Sequence, residues 1–446
     1  MNTNTTNTNT NTTNTDHCGA SAKPRFQRAE RRQIEWRPLS LDQMLPVDHT
    51  ARLVWAYVES LDLSELYRRI RAVEGHVGRD PIDPKILVAL CLFATIDGVG
   101  SARRLDRLCT EHFAYLWLCG GVSVNYHTLS DFRVQHVEIL DRLLTQSVAT
   151  LLHQGLIALN RVAQDGMRVR ASAGSSSFRR RPSLEECLIE AEAHLEDLKR
   201  EAEQDAAAED RRVKAAQERA VRERVERVQA ALDELSEVEQ KMEHREKGSS
   251  EKARASTTDP EARNMKMPDG GFRPAYNVQF ATTTETLVIV GVDVTNSGGD
   301  GGQMTPMVNQ IQEHYGTQPE EYLVDGGFST LDDIERLESS QTKVYAPVKN
   351  EEQKRKKGDD PFARRKGDSD EVAAWRERMG TESAKKIYKQ RSATAEFPNA
   401  GCRNRGLMQF VVRGLTKTKA VSLWHALAHN FQRTLSLRAA AGLELV

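Results

Sequence analysis

The sequence predicts a mixed α/β protein with a helical N-terminal region and an inserted coiled coil. Between residues 28 and 157, apolar residues recur every three or four positions, which is typical of packed helices. A heptad-like pattern follows, and after residue 257 the apolar period changes to two before strands and helices alternate. At 446 residues and 39% apolar composition, the chain is long enough for more than one domain and a substantial core.

The N-terminal part contains two predicted regions. Residues 1–27 form an Asn/Thr-rich tail that is too polar to bury a core, so we predict that it is disordered. Residues 28–157 form a helical domain that either docks on DNA as a relative of the helix-turn-helix or is a plain helical bundle. Arg103, Arg104 and Arg133 are its candidate DNA contacts.

Residues 183–257 are predicted to be a coiled-coil insertion. The first half carries an apolar stripe in steps of three and four, and the second half repeats it after an alanine-rich stretch. The stripe consists of Leu184, Leu188, Ala191, Leu195 and Leu198, and then Val221, Val225, Val228, Leu232 and Leu235. One long helix or an antiparallel hairpin satisfies the pattern, and the phase slip near residues 204–210 favours the hairpin. As a function we expect a solvated spacer or a dimerisation arm without chemistry.

The remaining segments are predicted to form one mixed sheet. Residues 158–182 contain its first strand, residues 258–437 supply the rest of this domain, and residues 438–446 are a C-terminal tail. The runs YNVQFATT and LVIVGVDVTN, joined by TET, predict an antiparallel hairpin. A helix, the strand EYLVD, the helix TLDDIERLES and the strand KVYAPVK follow. Such sheets place functional groups where strands end and helices begin.

The charge distribution points to a nucleic-acid partner even though the net charge is −1. Residues 183–257 carry 21 acidic and 14 basic residues, so the rest of the chain has a net charge of +6. Two stretches, 161–181 with six arginines and 354–366 with seven cations, are either solvated faces or phosphate contacts.

No membrane span, export signal or disulfide framework is expected. The longest apolar run, ILVALCLFATI, has eleven residues, whereas a bilayer needs about 20. The N-terminus has neither the positive flank nor the apolar segment of a secretory signal. The six cysteines form no C-x-x-C pair, which favours reduced thiols in a cytoplasm.

Three carboxylates are candidates for chemistry. Asp325 follows the strand of EYLVDGG, where it either closes a turn or, with partners, binds a metal ion. Asp165 is predicted on or beside a neighbouring strand. Glu396 precedes Pro398, which favours the first turn of a helix, so we expect Glu396 to cap or open that helix. Arg391 and Arg403 flank it and suit phosphate binding.

The carboxylates stand in a pattern that resembles the bacterial insertion-sequence transposases of the DDE class. Asp165-Gly166 and Asp325-Gly326-Gly327 match the surroundings of that family's two aspartates. Tyr388-x-x-Arg391 and Glu396 match its Tyr-Arg-Glu signature, in which Arg403 replaces a lysine, keeping the charge but losing the compact ammonium. The resemblance extends over roughly residues 30 to 435 and includes the segments DPKILVALCLFATIDGVG and GGFRPAYNVQFA.

The resemblance implies a ribonuclease-H-like catalytic domain and a two-metal mechanism. Asp165, Asp325 and Glu396 would be the catalytic residues and the ligands of two Mg²⁺ ions, for which Mn²⁺ substitutes. The implied partners are transposon ends and target DNA, bound by a homodimer or a higher assembly at the bacterial nucleoid in the cytoplasm. The implied DNA contacts are Arg168, Arg170, Tyr388, Arg391 and Arg403.

Two other functions are compatible with the residues. One is a Mg²⁺-dependent nuclease that cuts DNA without joining it. The other is an inactive DNA-binding protein that uses the coiled coil as an interaction arm, which the intact acidic trio argues against. Whether the protein is a transposase or a nuclease, we expect the carboxylates of Asp165, Asp325 and Glu396 to converge, on the order of 4 to 8 Å apart.

Overall fold

The structure is a computed structural model that describes residues 40–70, 80–204 and 210–444. All helices and strands given below lie in the compact unit Leu41–Val446. The predicted tail at residues 1–27 and residues 205–209, where we expect the turn of the coiled-coil hairpin, lie outside the described residues.

In the described parts of the N-terminal region, residues 40–70 and 80–157, seven helices follow a short 3-10 turn at Asp42–Met44. They are α1 Thr50–Glu59, α2 Ser64–Arg68, α3 Pro84–Ile96, α4 Ala102–Glu111, α5 Phe113–Cys119, α6 Tyr126–Gln135 and α7 Val137–His153. Helix α3 begins where the sequence predicts, because the Asp83 carboxylate accepts a hydrogen bond from the Lys85 backbone N–H at 2.9 Å and Pro84 occupies the first turn.

Strands and further helices make up the rest of the chain. The strands are β1 Arg161–Arg170, β2 Phe178–Arg179, β3 Ala255–Ser256, β4 Arg263–Lys266, β5 Phe272–Thr283, β6 Ile289–Thr295, β7 Glu321–Leu323 and β8 Lys343–Tyr345. The helices are α8 Arg181–Gln204, α9 Asp210–Arg245, α10 Met304–Tyr315, α11 Leu331–Ser339, α12 Glu351–Lys356, α13 Asp370–Gly380, α14 Glu382–Tyr388, α15 Gln390–Asn404 and α16 Leu415–Ala440.

Six of the strands form one mixed sheet around β1. Strand β1 pairs antiparallel with β5 on one side and parallel with β7 on the other, and β7 pairs parallel with β8. The far edge of β5 pairs antiparallel with β4 and β6, which confirms the predicted hairpin between residues 276 and 296. The first strand of the catalytic region therefore lies in the middle of the sheet.

Hydrophobic cores cover both faces of the sheet. One core joins the N-terminal helices and α16 to residues such as Met167 and Val169 of β1 and Phe280 of β5. The other core joins Val162 and Ala163 of β1 to β7, β8, α10, α11 and α13. Helix α16 is central to the first core, because its buried residues Trp424 and Phe431 pack among the N-terminal helices. The N-terminal helices and the sheet thus share one core.

The segment predicted as a coiled coil consists of α8 and α9, which contact each other. Arg181, at the start of α8, forms an ion pair with Glu239, near the end of α9, at 2.6 Å. Leu184 of α8 is buried with Leu232 and Leu235 of α9. These contacts place the start of α8 beside the end of α9. The short pair β2–β3 brings the two ends of the insertion together at the sheet.

The described parts of the chain contain no helix that combines the length and the apolar character of a membrane span.

Two buried histidines of α16 make stability depend on pH. Burial, together with smaller effects of neighbouring arginines, lowers the pKa of His425 to about 3 and that of His429 to about 4. Unfolding exposes imidazoles with pKa values of about 6.5, so the unfolded chain binds more protons below that pH. Their stabilisation is therefore complete above pH 6.5 and is lost as the pH falls toward 4.

We expect the free energy of unfolding to fall by about 1.4 kcal/mol per pH unit for each histidine between pH 6 and 4.5. Urea denaturation at a series of pH values measures this slope, and a His429→Asn variant should lose about half of it. An unchanged slope in the variant would contradict the buried neutral state of His429.

Candidate active site

The sheet brings the two predicted catalytic aspartates together. Asp165 lies within β1, and Asp325 follows β7 by two residues. The parallel register pairs Val162 with Tyr322 and Ala163 with Leu323, so extension by two residues puts Asp165 and Asp325 at the same level of adjacent strands. Side chains two residues apart share one face of a strand, and both aspartates therefore point toward the same side.

One arginine connects the two carboxylates. Nη2 of Arg391, on α15, donates to Oδ1 of Asp165 at 2.8 Å and to Oδ2 of Asp325 at 3.5 Å. The other carboxylate oxygen of Asp165 accepts a hydrogen bond from Nδ2 of Asn399 at 2.9 Å. Arg391 is mostly buried, with 16% of its side chain exposed. The pair of acids is therefore held against α15 by a cation and an amide.

Asp325 also closes the turn that the sequence suggested. Its Oδ1 accepts a hydrogen bond from the backbone N–H of Gly327 at 2.7 Å. Gly327 is required there by space, because a Cβ atom on it would lie 2.9 Å from the same oxygen. The turn and the proximity to Asp165 therefore coexist, since the turn uses one carboxylate oxygen and Arg391 contacts the other.

Glu396 differs from the prediction in two ways. It lies inside α15, where it neither caps nor opens the helix, because Pro398 is accommodated within the helix and removes only its own backbone donor. Helices turn about 100° per residue, so Glu396 lies about 140° around α15 from Arg391. It is exposed and accepts a hydrogen bond from Oγ of Ser392 at 2.7 Å.

The expected convergence of three carboxylates is therefore not seen in this arrangement. Within residues 40–70, 80–204 and 210–444, no three acidic, histidine or cysteine side chains are grouped so as to hold a metal ion. Asp165 and Asp325 nevertheless offer hard oxygen donors of the kind that Mg²⁺ binds. The guanidinium of Arg391 lies between them as a cation would, so the donor pair fits a divalent ion.

Burial and neighbouring charges have opposing effects on the pKa of Asp165. Burial raises the pKa of Asp165, Arg391 lowers it, and the negative charges of Asp325 and Asp300 raise it again. Burial also raises the pKa of the Tyr388 phenol, against an opposing effect of Arg391 and with a smaller contribution from Asp325. Tyr388 is half-buried at the end of α14, so this member of the predicted signature borders the aspartate pair.

A groove lined by arginines lies further along β1, and we call it the arginine groove. It has a volume of about 450 Å³ and contains Arg168, Arg170, Arg273 and Arg403. Its floor and rim include Met267, Leu407 and the exposed side chain of Met408. The backbone N–H of Arg170 donates to the carbonyl of Met408, which ties the end of β1 to the segment after α15. Three predicted DNA contacts, Arg168, Arg170 and Arg403, thus share one groove.

The three arginines predicted in the N-terminal region have different surroundings. Arg103 and Arg104 are exposed on α4, and Arg103 lies over the ring of Tyr126. Arg133 is only 8% exposed, and its guanidinium donates to the carbonyls of Val99 and Gly100 at 3.3 and 2.6 Å. Arg133 therefore ties α6 to the loop between α3 and α4 and does not present its charge to a phosphate, which corrects its prediction as a DNA contact.

Sequence reasoning missed Asn399 and undervalued Asp300. Asn399 lies eight residues after Arg391, about 80° around α15, but this relation is visible only if the helix continues through Pro398. Asp300 lies in the loop GGDGG, whose glycines by themselves indicate only a flexible connection. It is instead 6% exposed and bound by three side chains.

Two families of known proteins match the chain. Residues 39–135 match the family described as Transposase domain (DUF772), and residues 240–430 match the family described as Transposase DDE domain. Comparisons with curated proteins and with solved structures each find no match.

Together the two matches cover about two thirds of the chain, including Asp325, Arg391 and Glu396. The DDE family cleaves DNA, transfers strands and depends on divalent metal ions. The chain therefore belongs to the insertion-sequence transposases of the DDE class, enzymes that bind DNA, cut it and join it.

Proposed function

We propose that Asp165 and Asp325 bind the divalent metal of this transposase at the ends of transposon DNA. The observation that carries the proposal is their meeting on adjacent parallel strands with the Arg391 guanidinium between them. Two Mg²⁺ ions, or Mn²⁺ in their place, would supply the activation of water or of a 3′-hydroxyl and the stabilisation of the leaving oxygen. Glu396 is proposed as the third ligand, which requires α15 to turn or shift from its present position.

The residues of the chain have distinct roles in this proposal. Arg391 neutralises the aspartate pair before substrate binds and pairs with the scissile phosphate afterwards, because its planar fork suits both anions. Asn399 fixes the orientation of the Asp165 carboxylate through its amide N–H. Tyr388 borders the pair and offers a hydroxyl to the DNA backbone.

We further propose a ribonuclease-H-like catalytic core interrupted by a coiled-coil arm. The order β6-β5-β1-β7-β8, with three antiparallel strands followed by two parallel ones, supports this core. The ion pair of Arg181 with Glu239 and the shared apolar contacts of α8 and α9 support an antiparallel arm. We propose the domain limits 28–157, 158–182, 183–257 and 258–437 for the helical, first-strand, arm and remaining catalytic regions.

The arginine groove is the proposed path of the DNA backbone away from the reacting phosphate. Arg168 and Arg170 follow Asp165 on β1, so the groove begins within about 10 Å of the aspartate pair along the strand. Arg170 and Arg403 would neutralise successive phosphates, whereas Arg168 and Arg273 already pair with Asp300 and Asp269. The apolar Met408 suits contact with a sugar or base. An assembly of two or more chains at the bacterial nucleoid would then hold both element ends and the target.

The groove predicts a salt-sensitive loss of affinity on mutation. Replacing Arg170 and Arg403 together by alanine should weaken binding of element-end DNA about tenfold or more at 0.1 M salt, because two phosphate contacts are lost. The slope of log affinity against log salt should become shallower by about two. Fluorescence anisotropy at several salt concentrations measures both, with Arg438→Ala as a control distant in sequence. An unchanged slope would remove these arginines from the DNA path.

The catalytic proposal is tested with the complete chain and duplexes that carry the ends of its own element. With Mg²⁺, the protein should cleave at those ends and join them to a second duplex, and without divalent metal it should do neither. Gel analysis of end-labelled DNA separates the two products. Cleavage that never leads to joining would favour the alternative of a Mg²⁺-dependent nuclease.

A further inference from the structure

Asp300 is a buried carboxylate that lies against the backbone of the aspartate segments, on the face of β1 opposite to the Asp165 side chain. It lies in the loop between β6 and α10 and is 6% exposed. Its Oδ1 accepts hydrogen bonds from Nδ2 of Asn277 at 2.7 Å and from Nε2 of Gln279 at 3.0 Å. Its Oδ2 forms an ion pair with Nη2 of Arg168 at 2.8 Å. All three donors belong to the central strands β1 and β5.

Glycines make room for this carboxylate next to both aspartates. A Cβ atom on Gly166, the residue after Asp165, would lie 2.3 Å from Oδ1 of Asp300. A Cβ atom on Gly327, which follows Asp325 by two residues, would lie 3.5 Å from Oδ2 of Asp300 and 2.9 Å from Oδ1 of Asp325. Asp300 therefore borders the backbone of both metal-binding segments.

The surrounding amides are oriented for a negative charge. Asn277 and Gln279 both turn their N–H groups toward Asp300, and among the described residues Oδ1 of Asn277 is left buried without a hydrogen-bond partner. Leaving a buried oxygen unpaired is costly, so the donors are arranged for the carboxylate. The negative charge of Asp300 also raises the pKa of Asp165, after the larger effects of burial, Arg391 and Asp325.

Arg168 explains why a charge is needed at this position. Arg168 lines the arginine groove, and its guanidinium also donates to the carbonyl of Gly166 at 3.4 Å, so it brings a positive charge to the backbone next to Asp165. A positive charge there attracts DNA phosphate but repels metal cations. The ion pair with Asp300 reduces this charge and therefore both effects, and Arg168 stays in the groove as a hydrogen-bond donor for phosphate.

We propose that Asp300 is a positioning residue that neutralises Arg168 beside Asp165 and Asp325, so that a DNA-binding arginine and divalent cations can occupy adjacent sites. The proposal rests on the proposed function of the aspartate pair. It does not make Asp300 a metal ligand, because only 8% of its side chain is exposed, against 20% for Asp165 and 39% for Asp325.

The test uses Mn²⁺ alone as a probe, with the complete chain and no DNA, and measures binding by electron paramagnetic resonance of free Mn²⁺. Asp300→Asn keeps the shape but leaves Arg168 unneutralised, so Mn²⁺ should bind about tenfold more weakly. The double variant Asp300→Asn with Arg168→Gln removes the uncompensated charge and should restore binding to within about threefold of wild type. Asp368→Asn, which removes another buried carboxylate paired with one arginine, Arg376, should bind as wild type does.

Two results would overturn this inference and leave the proposed function of the aspartate pair unaffected. One is wild-type Mn²⁺ affinity in Asp300→Asn, and the other is a double variant as weak as the single one, which would mean that the carboxylate only maintains the fold. Thermal melting of each variant separates that structural loss from an electrostatic one. If wild-type Mn²⁺ binding does not depend on Asp165 and Asp325, the proposed function fails first and this inference fails with it.

Discussion

Replacing Asp325 by asparagine is expected to abolish both cleavage and joining while DNA binding remains. Asparagine keeps the shape, one oxygen and the turn to Gly327, but it removes the charge that would hold divalent metal. Metal-assisted displacement is worth several kcal/mol, so both rates should fall by about a thousandfold or more. Affinity for DNA comes chiefly from cations on phosphates, so end binding should stay within about twofold.

The matched control is Asp332→Asn, an exposed carboxylate on α11 in the same part of the chain. Cleavage, joining and gel-shift assays on both variants complete the comparison. Joining by Asp325→Asn at a rate near that of wild type would show that this aspartate does not hold the metal.

Arg391 is expected to have opposite effects on metal binding and on catalysis. Its guanidinium lies between Asp165 and Asp325, so removing it leaves two carboxylates facing each other without a counter-charge. Without metal, Arg391→Ala should lower the free energy of unfolding by about 1–2 kcal/mol, and Mn²⁺ should restore part of that loss. Mn²⁺ should bind the variant more tightly than wild type, because no cation competes for the oxygens.

Strand transfer by Arg391→Ala should nevertheless fall about a hundredfold or more, since no group remains to stabilise charge on the phosphate. Arg391→Lys keeps the positive charge but loses the planar, two-pronged geometry of the guanidinium. Its Mn²⁺ affinity and its rate of strand transfer should lie between those of wild type and Arg391→Ala. Weaker Mn²⁺ binding by Arg391→Ala would be inconsistent with an arginine that occupies the cation position. Calorimetric titration without DNA, together with joining assays, measures the two effects separately.

Local sequence patterns specify individual helices and strands and the order of the candidate catalytic residues along the chain. Runs of β-branched and aromatic residues on either side of the TET turn specify the hairpin of β5 and β6, because such residues favour strands that are buried on both faces. Asp83 and Pro84 specify the start of α3 through a cap and a fixed φ. Asp165-Gly166 and Asp325-Gly326-Gly327 indicated which aspartates to compare, since each stands at a strand in a recognisable setting.

Which of these residues lie close together depends on contacts between segments that are distant in sequence. Asp165 and Asp325 are 160 residues apart, and only the parallel pairing of β1 with β7 brings them together. Glu396 is placed on the exposed side of α15 because that helix continues through Pro398, which local propensity alone does not predict. In the sequence Arg133 cannot be distinguished from an exposed arginine, but in the structure it is buried and donates to two backbone carbonyls. Asp300 lies in a glycine-rich loop and is nevertheless buried. Short-range patterns encode backbone geometry, whereas the partner of a buried charge depends on contacts between distant segments, which no local pattern contains.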